Sequence, residues 1–138
     1  MLEILLVEDN PGDALLVKAA LASHNILHNL RLVRDAHEAI AYASNMGASV
    51  ESPYPDVILL DLNLPKADGA TLLAEFRKRS RCLNTPVIVV TSSDAPKDRE
   101  RMAALGVARY FKKPFDFQEF LKLGAVVSEV VEASSNTT

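Results

Sequence analysis

Glu8 and Asp9 come directly after the run Glu3-Ile4-Leu5-Leu6-Val7, Asp61 directly after Val57-Ile58-Leu59-Leu60, and Lys113 just after Tyr110-Phe111. Two unit charges about 4 Å apart at an effective dielectric of about 20 repel by roughly 4 kcal/mol, so three gathered carboxylates call for a cation. Oxygen-only donors suit Mg²⁺, which keeps several waters and takes one or two carboxylates together with a phosphate. For Glu8 and Asp9 alone a solvated acidic loop is an equal alternative. By spacing alone Lys113, beside Lys112 and before a proline, reads as a solvated surface charge.

These residues meet only if the intervening elements carry them to one place. Short apolar runs alternate with helical patterns along the chain, the mark of βα units on a parallel sheet, whose strands end together along one crevice. Strands are expected at Leu2–Val7, Leu30–Val33, Asp56–Leu60, Pro86–Val90 and Arg109–Lys112. Helices are expected from Pro11 to about Ser23, Ala36 to Met46, after Gly69 to about Arg79, about Ala95 to Leu105, and about Phe117 to Glu132. Residues 47–55 form a loop by their Gly, Ser and Pro content. One domain over residues 1–132 and a polar tail over 133–138 complete the organisation.

The chain has 138 residues, 49% of them hydrophobic and 24% charged, which is the balance of a single domain able to bury a core. A net charge of −3 with no basic stripe argues against nucleic-acid binding. No run reaches the roughly 18 apolar residues of a membrane span. The lone Cys82 excludes an intramolecular disulfide, and the start Met-Leu-Glu-Ile lacks a basic leader, so a cytoplasmic location is expected. His24 and His28 are four apart, but a helix end and a turn between them argue against metal ligation, and His37 stands alone.

The run Asp61-Leu62-Asn63-Leu64-Pro65-Lys66-Ala67-Asp68-Gly69 resembles the phosphoacceptor loop of response-regulator receiver domains, the partners of sensor histidine kinases. The resemblance continues in Val7-Glu8-Asp9-Asn10, Val89-Val90-Thr91-Ser92 and Tyr110-Phe111-Lys112-Lys113-Pro114-Phe115, and covers about residues 2 to 132. It implies an α/β, doubly wound, five-stranded parallel sheet of order 2-1-3-4-5, the flavodoxin-like receiver fold. It makes Asp61 the phosphoryl acceptor, Asp9 and Asp61 direct Mg²⁺ ligands, Glu8 a ligand through water, and Asn63 a ligand by its backbone carbonyl. Lys113 and the Thr91 hydroxyl would neutralise the phosphoryl oxygens. Thr91 and Tyr110 resemble the family's switch pair, although a tyrosine on a short last strand could equally be packing. Lys113-Pro114 is a candidate cis peptide. The resemblance thus implies a phosphoacceptor signalling protein that promotes its own phosphoryl transfer and dephosphorylation, not an enzyme.

Two segments carry more apolar residues than one buried stripe needs. In the first helix, Leu16, Val17, Ala20 and Leu21 are expected to face the sheet, leaving Ala14, Leu15 and Ala19 to water. With Lys18, Ala14 and Leu15 would form a kinase-docking patch. The last helix, from Phe117 through Val131, suggests a homodimer. Its Gly124 costs about 1 kcal/mol against alanine, a loss that close backbone approach would offset. Lys97-Asp98-Arg99-Glu100-Arg101 reads as a solvated face. Glu8 to Ala14, the loop 47–55 and Asp61 to Pro65 look like the small single-domain regulators that accompany bacterial phytochrome kinases. The rivals are a receiver-like docking module that takes no phosphate, an aspartyl-phosphate hydrolase and a flavin carrier. The second wants an acid where Asn63 stands, and the third a phosphate loop after Val7.

Overall fold

The computed structural model describes residues 1–64, 68–79 and 84–135. The elements run β1 (Leu2–Val7), α1 (Pro11–Ser23), β2 (His28–Val33), α2 (Ala36–Asn45), β3 (Val57–Leu60), α3 (Gly69–Arg77), β4 (Val87–Thr91), α4 (Pro96–Ala104), β5 (Arg109–Lys112), α5 (Phe117–Phe120) and α6 (Leu123–Ser135). The strands form one parallel sheet in the order β2-β1-β3-β4-β5, as expected.

Successive residues of a strand point to opposite faces, and here both faces are covered. Leu5, Val7, Ile58, Leu60, Val87 and Val89 pack with Leu72, Leu73 and Phe76 of α3 and Met102 of α4. Ile4, Leu6, Val57, Leu59, Ile88 and Val90 pack with Val17 and Leu21 of α1 and Leu123 and Val127 of α6. Side chains of this size typically contribute about 1.5 to 3 kcal/mol each on full burial. That is why the central strands read as unbroken apolar runs.

Local signals set the helix starts. Asn10 accepts the N–H of Asp13 ahead of Pro11 at the first turn of α1, and Asp35 accepts from Glu38 at α2. Most boundaries fall within a residue or two of expectation, and the largest differences concern β2 and the last helix. Strand β2 begins at His28, not Leu30, because it pairs with β1 along its whole length, Leu2 opposite His28 through Val7 opposite Val33. The expected last helix is two pieces: short i→i+3 bonds from Lys122 N–H to Glu119 O and from Gly124 N–H to Leu121 O tighten the turn between them. The second piece runs through Ser135, past the expected end at Glu132.

The apolar excess of α6 is absorbed within the chain. Val126 and Val131 pack against the same core as Val127 and Val130, while α6 also lies along α1. Gly124 is the contact point: a Cβ there would collide with the Ala20 carbonyl oxygen and the His24 ring. Gly124→Ala is therefore expected to destabilise the protein by about 1 to 3 kcal/mol, overpacking outweighing the roughly 1 kcal/mol gained in helix propensity. Urea unfolding checks this; a variant as stable as the parent would show that α1 and α6 part without cost.

Candidate functional site

The sheet register assembles the site at the carboxyl ends of β1, β3 and β4. Val7 pairs with Leu60, and Asp61 N–H donates to Val7 O at 3.0 Å, so Asp61 lies beside Glu8. Lys113 N–H donates to Thr91 O at 2.7 Å, which continues the β4–β5 pairing past Thr91 opposite Lys112 and keeps Lys113 at the same end. Oxygens of Glu8, Asp9 and Asp61 all lie within 4.8 Å of one another. The Lys113 ammonium stands among them, 2.7 Å from Glu8, 2.7 Å from Asp13 and 2.9 Å from Asp61.

Burial and pairing oppose each other at these groups. Glu8 is 1% exposed, and burial with Asp61 nearby pushes its carboxyl up to about 7 despite the Lys113 bond. Burial pushes Asp61 the same way, but the Asn63 N–H at 3.0 Å and Lys113 outweigh it and hold its carboxyl below the usual aspartate value. Burial alone would lower the Lys113 ammonium; its bonds to Asp13, Glu8 and Asp61 raise it instead. At neutral pH the site holds a charged lysine against an ionised Asp61. Its donor set is all oxygen, which fits a hard divalent cation.

Behind the carboxylates, the fully buried Thr91 hydroxyl accepts from Asn63 Nδ2 at 3.2 Å. The Tyr110 hydroxyl donates to Ser93 O at 2.8 Å, and the Arg99 guanidinium lies 4.4 Å from the centre of the Tyr110 ring. Burial raises the Tyr110 phenol further above its ordinary value, so it stays a donor. Ser93 also bonds Asp98, and Arg101 reaches Asp68, the N-cap of α3.

Residues 4–124 match the family model for the response regulator receiver domain. The chain belongs to this family. The response regulator Rcp1 of Synechocystis sp. is 38% identical over 120 residues, covering 87% of this chain and 82% of Rcp1. The crystal structure of the Mn²⁺-bound form of Rcp1 superposes with a TM-score of 0.83, at 36% identity, over 96% of each chain. That of the phosphorylated cyanobacterial phytochrome response regulator RcpA gives 0.83 at 35% identity, over 96% of this chain and 94% of RcpA. No described helix of the receiver is long and apolar enough to cross a membrane.

The receiver site brings together the residues expected at strand ends, Glu8, Asp9, Asp61, Asn63, Thr91 and Lys113. Three expectations need correction. Ala14, placed at the docking patch, is only 3% exposed and packs in the core, because α1 is rotated so that Ala14 and Val17 face inward; Leu15, 64% exposed, and Lys18 do face water. The Lys113-Pro114 peptide is trans. The charged face of α4 is not merely solvated, since Asp98, Arg99 and Arg101 contact Ser93, Tyr110 and Asp68. His28 lies in β2, its Nδ1 against Ile26 O at 2.8 Å, while His24 Nδ1 lies 3.1 Å from Ala20 O, so the two share no site. Cys82 and the Pro65-Lys66-Ala67 part of the loop motif lie outside the described residues. Sequence reasoning missed Asp13; the signal was its place three residues beyond Asn10 in a first helical turn that opens toward the acidic pair.

Proposed function

We propose that this receiver accepts a phosphoryl group on Asp61 from a sensor histidine kinase, with Mg²⁺ as the divalent cation. The observation that carries the reading is the nearly buried Asp61 carboxylate gathered with those of Glu8 and Asp9, with the Lys113 ammonium 2.9 Å from it. An Asp61 oxygen forms the new P–O bond while the P–N bond of the kinase phosphohistidine breaks, the imidazole nitrogen leaving. Such transfer is mostly positioning and neutralisation of charge on the equatorial oxygens. Glu8, Asp9 and Asp61, with the Asn63 carbonyl, would hold Mg²⁺, which when bound supplies positive charge to the approaching donor. Lys113 holds an ammonium, and Thr91 a hydroxyl, next to the acceptor; the same residues would serve when water removes the group. Mn²⁺ in the Rcp1 crystal structure supports a divalent ion here. Calorimetric titration with Mg²⁺ tests this, and failure of the cation to bind would favour a docking module that takes no phosphate.

Thr91 and Tyr110 would act as the switch. In the present state Thr91 is engaged by Asn63, and Tyr110 is tied to Ser93 and covered by Arg99. A phosphoryl group competing for the Thr91 hydroxyl would bias that arrangement, and with it partner binding or the formation of a homodimer. Sedimentation with and without beryllofluoride reads the second.

The likeness to RcpA supports a kinase of the phytochrome type as the partner. Exposed Leu15 and Lys18, beside Asp9 and Pro11, line a shallow cavity of about 230 Å³ next to the acidic site. Leu15→Glu is expected to slow transfer from the kinase by about tenfold or more, the scale of losing a docking hot spot. Phosphorylation by a small acyl phosphate should be nearly unchanged. Equal loss of both reactions would mean that Leu15 serves folding, not docking.

A further inference from the structure

A lysine ammonium has three N–H donors and no acceptor. In this site Lys113 meets three carboxylates, those of Glu8, Asp13 and Asp61, and its side chain is only 9% exposed. Among the described residues, Glu8 and Asp61 belong to the carboxylate set able to gather a cation, and Asp13 does not. Asp13 also comes from a different element: it stands in the first turn of α1, its N–H held by Asn10 Oδ1 at 3.1 Å, on a helix anchored by buried Ala14 and Val17.

We infer that Asp13 is a positioning residue of the phosphoacceptor site, its carboxylate holding the Lys113 ammonium against Asp61 with a grip that a cation on Glu8, Asp9 and Asp61 leaves in place. The inference rests on the phosphoacceptor reading of Asp61. A lysine side chain has many rotamers, and a group fixed before the reaction does not lose that freedom during it. A nearly buried ammonium left one partner short would have to turn toward water or share the remaining acceptors. The competing role for Asp13 is simpler: a carboxylate in the first turn of α1 favours the helix terminus whatever Lys113 does. The two roles differ in whether Asp13 matters when Lys113 is gone.

The test uses four full-length proteins: the parent, Asp13→Asn, Lys113→Ala and the double variant. Beryllofluoride with Mg²⁺ is the probe, its affinity measured by calorimetry. Asp13→Asn is expected to weaken binding by about tenfold, the scale of losing a charged hydrogen bond, and to add nothing in the Lys113→Ala background. A second readout needs no metal: the ¹⁵N-detected Lys113 ammonium signal, visible when its protons are held, should broaden in Asp13→Asn. Equal weakening by Asp13→Asn in both backgrounds, or an unchanged affinity with an unchanged ammonium signal, would overturn the inference. If the parent binds no beryllofluoride, the phosphoacceptor reading fails instead, and the metal-free ammonium signal alone decides whether Asp13 holds Lys113.

Discussion

Asp61→Asn is expected to take no phosphoryl group from a small acyl phosphate, whereas the parent takes one on Asp61 and only with Mg²⁺ present. The loss should be complete because the asparagine amide oxygen carries no charge with which to attack phosphorus, and the transfer leaves little other covalent chemistry for the protein to do. The nearest alternatives do not replace it. Glu8 is 1% exposed and its carboxylate is engaged by Lys113 at 2.7 Å. Asp13 is taken up by Lys113. Mass spectrometry after incubation, with and without chelator, is the measurement. A modification that persists in Asp61→Asn, or that chelator leaves undiminished, would sink the assignment.

Lys113→Ala is expected to lower the stability of the cation-free protein by about 3 kcal/mol, toward the low end of what removing one partner from a buried ion pair costs. The low end applies because Glu8 can keep a proton and so relieve part of the repulsion with Asp61. Saturating Mg²⁺ should then restore more stability to the variant than it adds to the parent, since no lysine competes for the carboxylates. A ligand at about 100 times its dissociation constant adds roughly 2.7 kcal/mol. Urea midpoints with and without Mg²⁺ decide. An unchanged midpoint in the absence of cation would mean that solvent already carries the acidic cluster and the lysine bonds add nothing.

Some of this architecture is plain in the residues and some is not, for identifiable reasons. Strands β1, β3 and β4 declare themselves because sheet burial on both faces fills Ile4–Val7, Val57–Leu60 and Val87–Val90 with apolar side chains. The start of β2 hides because His28, Asn29 and Arg31 have no strand pattern of their own and are extended by pairing with β1. Helix α1 shows the limit of periodicity: with apolar residues nearly all round, nothing in the sequence sets its rotation, and Ala14 reads as outward when it is not. The same ambiguity conceals Asp13, whose neighbourhood depends on that rotation. Strand ends place side chains by register, which is why Glu8, Asp9 and Asp61 are legible, whereas Lys113 reads as a surface charge by spacing and is placed at the site only by the family resemblance. The contacts of Arg99 and Arg101 are not legible, because they depend on where α4 lies over Tyr110 and Asp68.

The strand order has a consequence for biosynthesis. Strand β1 is made first yet lies inside the sheet, between β2 and β3. When β2 leaves the ribosome it can cover one side of β1, but the other side, bearing the backbone groups of Ile4 to Val7, stays open until Val57 to Leu60 arrive beyond the 47–55 loop. Non-local parallel pairings form slowly, and an uncovered apolar edge is a template for other chains. A nascent chain stalled before β3 would carry the acidic pair of the future site at the end of an apolar strand with one edge still open.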